Sequence, residues 1–232
     1  MKLALIGYGA MGRLVANLAR AAGDEIGATL ASKDSARSSD EMAALLRGHD
    51  VAIDFSVGSA VATHVEACMR SGVPLVQGTT GWKDHEADAR RIVGEHGGAM
   101  VYGANFSIGV NVFYRIVEQA AKLFAGFDQY EAFIEEQHHS RKLDAPSGTA
   151  LKLESLMAEH IRSPIPITSM RAGHIPGTHR VGFDSAADQI MLTHMARSRE
   201  GFAAGALLAA RWIIGREGVF EFSDVIDEIL TQ

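Results

Sequence analysis

The feature that most constrains this 232-residue chain lies in its first dozen residues. Lys2 to Ile6 (KLALI) is a short apolar run suited to a buried strand. GYGAMG follows at residues 7–12, and from Arg13 to Ala22 the apolar residues Leu14, Val15, Leu18, Ala19 and Ala22 recur at helical spacing. A G-x-G-x-x-G stretch placed between a strand and a helix has the context that dinucleotide binding requires. Its glycines let the backbone approach a pyrophosphate, and the helix N-terminus stabilises the negative charge. The alternative is a tight strand-to-helix turn that binds nothing.

The pattern that follows extends this reading. Strand candidates at 25–31, 51–56, 74–81 and 99–107 alternate with helical stretches, one opened by Ser39 and Asp40 as cap residues, another near 60–70 and a charged one near 84–95. Such alternation predicts a parallel sheet with helices on both faces, an α/β unit of Rossmann type. After about residue 110 the rhythm changes. A long helix (110–124) precedes an alternating strand (130–139), the cluster described below, and a helix over Thr149 to His160. Strand candidates at 167–171, 178–183 and 189–196 then follow without helices between them. That predicts a second, smaller α+β unit with an antiparallel or mixed sheet. A final helix, Phe202 to Ile214, is rich in Ala and Gly and suited to close packing. The expected division is 1–106 plus 208–232 for the nucleotide unit and 107–207 for the other.

Composition narrows the function classes. A net charge of −6 argues against general nucleic-acid binding, which shows as a basic excess. The single cysteine, Cys68, excludes an internal disulfide framework and fits a reducing compartment. Gly7, Gly9, Gly12 and Arg13 interrupt the N-terminal apolar run before it resembles a signal peptide. No apolar stretch reaches the length of about 18 residues needed to span a bilayer. The expectation is a cytoplasmic protein without membrane or nucleic-acid partners.

The cofactor can be read further. An acidic residue that binds the adenosine ribose is expected about 20 residues past the fingerprint, at the end of the second strand. There the chain reads TLASKD, with Ala31 or Ser32 at the expected place. Ser32 and Lys33 could receive a 2′-phosphate, so NADPH is the preferred expectation; Asp34 keeps NADH possible if the register slips. Three further loops, DFS (54–56), GTTG (78–81) and GANFS (103–107), fall at strand C-termini, where ligands of doubly wound sheets bind.

Residues 135–149, EEQHHSRKLDAPSGT, are a basic cluster in an acidic chain. As a metal site it is unpromising, because adjacent His138 and His139 would point to opposite faces of a strand, and no metal is expected. It could be a solvated turn. However, SGT falls where a helix begins, so free backbone N–H groups lie beside basic side chains, and Lys and His can supply protons. That combination suits a carboxylate-bearing substrate.

HHSRKLDAPSGTAL resembles the signature of the dihydrodipicolinate reductase family. The resemblance runs through GYGAMG, DFS, GTTG, ANFSIGVN, the R-x-G-x-I-x-G-x-H pattern at Arg171 to His179, THMARSR (193–199) and FAAGALLAARW (202–212). It implies NAD(P)H-dependent reduction of the cyclic dicarboxylate 4-hydroxy-tetrahydrodipicolinate to tetrahydrodipicolinate, in lysine and diaminopimelate biosynthesis. It also implies roles. His138 would be the general acid/base and Lys142 the proton donor, while His139, Ser147, Gly148 and Thr149 would hold the substrate carboxylates. Gly7, Tyr8, Gly9, Ala10, Met11 and Gly12, with Gly78, Thr79 and Thr80 and with Gly103, Ala104, Asn105 and Phe106, would line the cofactor. The second unit would carry substrate binding and homotetramer assembly through its sheet. This chain departs from many members in a glycine loop one residue shorter, in His174 where an acidic residue is common, and in a trimmed stretch between Leu153 and Arg171.

Two rival readings use the same residues. One is a reductase of another imine dicarboxylate. The other is a nucleotide-sensing regulator that kept the fold and lost the chemistry, against which stands the presence of both His138 and Lys142.

Overall fold

Strand β1 (Lys2–Ile6) and helix α1 (Ala10–Ala21) form where the apolar run and the helical spacing place them. The structure, a computed structural model, describes residues 1–34 and 36–231 and, at Lys33, the backbone alone. From α1 the chain alternates through β2 (Glu25–Leu30), α2 (Ser39–Leu46), β3 (Val51–Asp54), α3 (Val61–Ser71), β4 (Leu75–Gln77), α4 (Glu86–Glu95) and β5 (Ala99–Tyr102). The cap of α2 is Ser38, one residue before the expected pair. Its hydroxyl accepts from the Glu41 N–H while the Glu41 carboxylate accepts from the Ser38 N–H.

The chain then enters the second unit with α5 (Ile108–Phe124), β6 (Glu131–His138), α6 (Gly148–Ala158), β7 (Ile167–Arg171), β8 (Thr178–Asp184) and β9 (Gln189–Met195). It returns with α7 (Glu200–Ile213), followed by β10 (Gly218–Glu221) and α8 (Phe222–Thr231). These last two elements are additions to the sequence reading.

In the first unit, residues 1–108 and 200–232, six parallel strands lie in the order β10-β5-β4-β3-β1-β2. Strand order reverses direction at β1, so the crevice that receives ligands in such sheets opens between β1 and β3. The core is formed by fully buried Ala4, Ala52, Leu75 and Met100 from the strands with Leu46 and Val65 from the helices. Residues 200–207, expected with the second unit, belong to the first. The reason is packing: α7 lies against α1, β3, β4 and β5, and Gly205 sits so close to Phe106 that a Cβ would stand 1.7 Å from its carbonyl oxygen.

In the second unit, residues 109–199, four strands lie in the order β7-β6-β8-β9, with β6 parallel to β7 and antiparallel to β8. The sheet is therefore mixed. Alternation along β6 sends Ala132, Ile134, Glu136 and His138 to one face. Ala132 and Ile134 pack with Val181 and Phe183 of β8 beneath Phe113 and Val117 of α5 and Leu153 and Met157 of α6. Along the same strand the buried face changes from apolar to ionisable at Glu136. That change marks the site.

Candidate active site

The glycine loop divides its work among three positions. Gly7 has a φ of +86°, and a Cβ there would stand 2.3 Å from the Phe55 carbonyl oxygen, so the loop after β1 presses on the loop after β3. A Cβ on Gly12 would stand 2.0 Å from the Gly7 carbonyl oxygen, which fixes how closely α1 packs. Gly9, the N-cap of α1, has open space where a side chain would be. Tight turn, close helix packing and an open approach to a helix N-terminus are the three properties a pyrophosphate cradle needs. Tyr8 and Met11 are half-buried and Ala10 is exposed beside them. These residues fit a bound dinucleotide.

The loops after β3 and β4 share a buried anchor. The Asp54 carboxylate, fully buried, accepts from the Ser56 N–H (2.8 Å), the Thr79 hydroxyl (3.1 Å) and the Gln77 side-chain amide (3.1 Å), and lies 2.8 Å from the His64 Nδ1. Thr79 also accepts from the Ser56 N–H through its hydroxyl at 2.8 Å. Its side chain thus ties the two loops together and leaves Gly78 and the exposed Thr80 at the rim. In the loop after β5, Gly103, Ala104 and Asn105 are partly or fully exposed. Phe106 is not. It is buried between Phe55 and Phe222, so only its backbone remains for a ligand.

At the end of β2, Ser32 is exposed, whereas Asp34 is buried. Its carboxylate accepts from the Ala31 N–H (3.0 Å) and from Arg37 Nε (2.9 Å). The Lys33 side chain lies outside the described residues. Arg37, which the sequence reading passed over, is the cation that the loop turns toward Asp34.

In the second unit, strand register builds the cluster. Glu136 on β6 is level with Ser169 on β7 and with His179 on β8, and His138 is level with Arg171. The Glu136 carboxylate is 1% exposed. Its Oε1 accepts from Arg171 Nη2 (2.6 Å), the Ser169 hydroxyl (2.7 Å) and the Ser147 N–H (3.0 Å). Its Oε2 faces His138 Nδ1 at 3.3 Å and His179 Nε2 at 3.7 Å. Ser147 caps α6 by accepting from the Ala150 N–H, and its hydroxyl lies 3.2 Å from His179 Nε2. Gly148 begins the helix, exposed and with open space at its Cβ position, and Thr149 follows, half-buried. Lys142 sits in the loop before α6, where its Nζ pairs with Asp144 at 2.8 Å. Arg171 also donates to the Asp144 carbonyl oxygen, so one guanidinium links Glu136 to the lysine-bearing loop. His139 follows the end of β6, half-buried, its Nδ1 without a partner.

Electrostatics sort these groups. Burial would raise the Glu136 carboxyl, but the donors Ser147, Arg171 and Ser169 outweigh it and hold the group down to about 2. Burial pushes His138 below its ordinary value against the pull of Glu136. Burial, reinforced by His138, pushes His179 down to about 4. At neutral pH the site therefore holds a carboxylate and two neutral imidazoles. The sequence reading weighed His138 and His139 as metal ligands. The fold instead brings Glu136, His138 and His179 together, their ligand-type atoms all within 4.8 Å of one another. Arg171 bonds the carboxylate through Oε1 and Lys142 adds positive charge nearby, a field suited to an anion rather than to a cation. Glu136, Arg171 and His179 were not singled out as site residues. The available signal was two-residue alternation, which puts Glu136 on the face of His138; the other two depend on strand pairing.

A doubly wound sheet that opens on a G-x-G-x-x-G turn, with a carboxylate–imidazole–lysine cluster beside a helix N-terminus on a second sheet, defines a pyridine-nucleotide-dependent oxidoreductase. The family model for the dihydrodipicolinate reductase N-terminus matches residues 1–106, and that for its C-terminus matches residues 109–226. The 4-hydroxy-tetrahydrodipicolinate reductase of Christiangramia forsetii is 36% identical over 241 residues, covering 99% of both chains. The enzyme of the same name from Acinetobacter baumannii is 32% identical over 264 residues, covering 97% of this chain and 96% of that one. Among solved structures, dipicolinate-bound dihydrodipicolinate reductase from Paenisporosarcina sp. TG-14 has the same fold (TM-score 0.81, 22% identity, 95% and 97% coverage). The fold also recurs in an amine dehydrogenase from Mycobacterium smegmatis (TM-score 0.63, 10% identity, 97% and 95% coverage). This chain belongs to the dihydrodipicolinate reductase family.

Proposed function

We propose that the protein reduces 4-hydroxy-tetrahydrodipicolinate to tetrahydrodipicolinate. The net change replaces the ring hydroxyl by hydrogen: water leaves, and a hydride and a proton are added. The observation that carries this reading is the helix N-terminus at Ser147, Gly148 and Thr149 beside Lys142 and the Glu136–His138 cluster. It offers the N–H groups of Gly148 and Thr149 and the Lys142 cation for carboxylates, and titratable groups for the proton. The nicotinamide supplies the hydride when bound. Addition of hydride builds negative charge on the substrate, which a positioned acid must quench. Lys142 carries that proton and His138 steadies or exchanges it. His139, Ser147, Gly148 and Thr149 hold the carboxylates. The dipicolinate named for the Paenisporosarcina structure is a planar dicarboxylate of the same ring class, which supports this substrate.

The test is direct. NADPH absorbance should decay only when the dicarboxylate is present. Tight cofactor binding without turnover would instead favour a nucleotide-sensing regulator.

The cofactor preference rests on the turn after β2. Asp34 is engaged with the Ala31 N–H and Arg37 and so is not turned toward a ribose, while exposed Ser32 and the cations Lys33 and Arg37 suit a 2′-phosphate. NADPH is then accepted at least as well as NADH. Lys33→Ala should raise KM for NADPH more than for NADH. Equal changes for both cofactors would count against a 2′-phosphate contact. Homotetramer assembly fits the outer face of the second sheet, where Met170, Met191 and Met195 are 50%, 38% and 58% exposed.

A further inference from the structure

Glu136 has a use that its place under the sheet does not require. Three donors crowd its Oε1, whereas Oε2 is buried without any hydrogen bond of its own. A buried, unpaired carboxylate oxygen is destabilising, because it has lost its water without gaining a donor. The nearest group able to satisfy it is His138 Nδ1, 3.3 Å away, which is itself buried without a hydrogen bond. His179 is a poorer donor, since its Nε2 is farther away at 3.7 Å and already meets the Ser147 hydroxyl at 3.2 Å. The two atoms lie within reach of each other but are not aligned for a hydrogen bond, and a small rotation of the ring with a proton on Nδ1 would direct it at Oε2 and satisfy both. The lone pair is then on Nε2, the edge that abuts Gly177. There a Cβ would stand 3.3 Å from the ring, and glycine provides none.

We propose that Glu136 is a positioning residue for the reaction assigned above, fixing the His138 imidazole as its Nδ1–H tautomer with Nε2 presented as a proton acceptor. In this form neutral His138 cannot donate from Nε2. It can accept a proton there, and Glu136 then stabilises the resulting imidazolium, as a carboxylate behind a catalytic histidine does elsewhere. The net proton delivered to the substrate accordingly comes from Lys142. The same carboxylate also accepts from the Ser147 N–H at the start of α6, so the histidine and the carboxylate-binding helix share one anchor.

This inference rests on the proposed reaction, but its first readout does not. In the full-length protein with ¹⁵N-labelled histidine, the His138 resonances, assigned by their loss in His138→Gln, should report a protonated Nδ1 and an unprotonated Nε2. The opposite tautomer in the wild type would overturn the proposal whether or not the protein turns over the dicarboxylate. Glu136→Gln keeps the side-chain shape but can offer an amide N–H to Nδ1, which moves the ring proton to Nε2. We expect this variant to show the reversed tautomer, with kcat lowered on the order of 10²- to 10⁴-fold and KM for NADPH within about twofold of wild type. Glu136→Asp should recover part of the rate. Unchanged kcat in Glu136→Gln would also overturn it. If that variant does not fold, the wild-type tautomer still decides.

Discussion

At the scale of single residues, the second unit places Glu136, His138 and His179 on one buried face with Lys142 in the loop beside it, and this has two measurable consequences. Lys142→Ala removes the proposed proton donor while leaving every contact of the glycine loop in place. It should lower kcat by about 10²- to 10⁴-fold and leave the Kd for NADPH unchanged. A loss confined to NADPH affinity would refute the role. The second consequence is acid sensitivity. Glu136 is held down to about 2 from an ordinary 4.5, so its stabilisation is complete above pH 4.5 and is lost as pH falls toward 2. His179 is pushed down to about 4 from 6.5, so the folded state resists its protonation. That term is complete above pH 6.5 and is lost as pH falls to 4. Both terms have the same sign, each is on the order of 3 kcal/mol taken alone, and they do not add because the groups touch. Urea midpoints should therefore fall steadily from pH 7 to pH 4. A flat profile over that range would contradict the burial of His179.

At the scale of elements, local chemistry and close packing decide different things. The helix cap at Ser38, the glycine turn at Gly7 and the two-residue alternation of β6 are local, and the sequence carries them openly. Placement of α7 is not local. Its small residues permit close approach, but the particular partner, the Phe106 carbonyl, follows only from the return of the chain to the first sheet. Gly205→Ala would put a methyl group 1.7 Å from that oxygen, and the clash is with backbone, which cannot rotate away. It should destabilise the first unit by about 1–3 kcal/mol, read as a lower thermal midpoint. Gly201→Ala, with only the Ser107 hydroxyl at 3.6 Å, serves as the control in the same helix and should cost far less. Equal midpoints for the two variants would mean that α7 does not pack as described. β10 escaped the sequence reading because four residues after a turn, GVFE, give too little periodicity. Pairing with β5 makes them a strand.

At the scale of the whole molecule, the second sheet presents one face to its helices and the other outward. On the outward face Phe133 lies over Gly182, and Met170, Met191 and Met195 are exposed. If four copies associate through this face, light scattering on the eluting protein should give the mass of four chains. The double variant Met191→Glu and Met195→Glu should give smaller species, because like charges would face each other across the contact. A monomeric wild type would remove the assembly proposal and leave the chemistry of the inner face untouched. Local sequence carried the order of strands and helices as far as α7, the G-x-G-x-x-G turn, the change to a second α+β unit, and the family to which HHSRK and DAPSGT point. These are set by spacing within a few residues, where sterics and periodicity act directly. Tertiary structure alone decided the position of β1 at the crevice, the return of the chain at residue 200, and the convergence of Ser169, Arg171 and His179 on Glu136. Each of those depends on which strands pair and in what register. Pairing of that kind is fixed by burying apolar faces contributed by distant parts of the chain, and no local spacing encodes it.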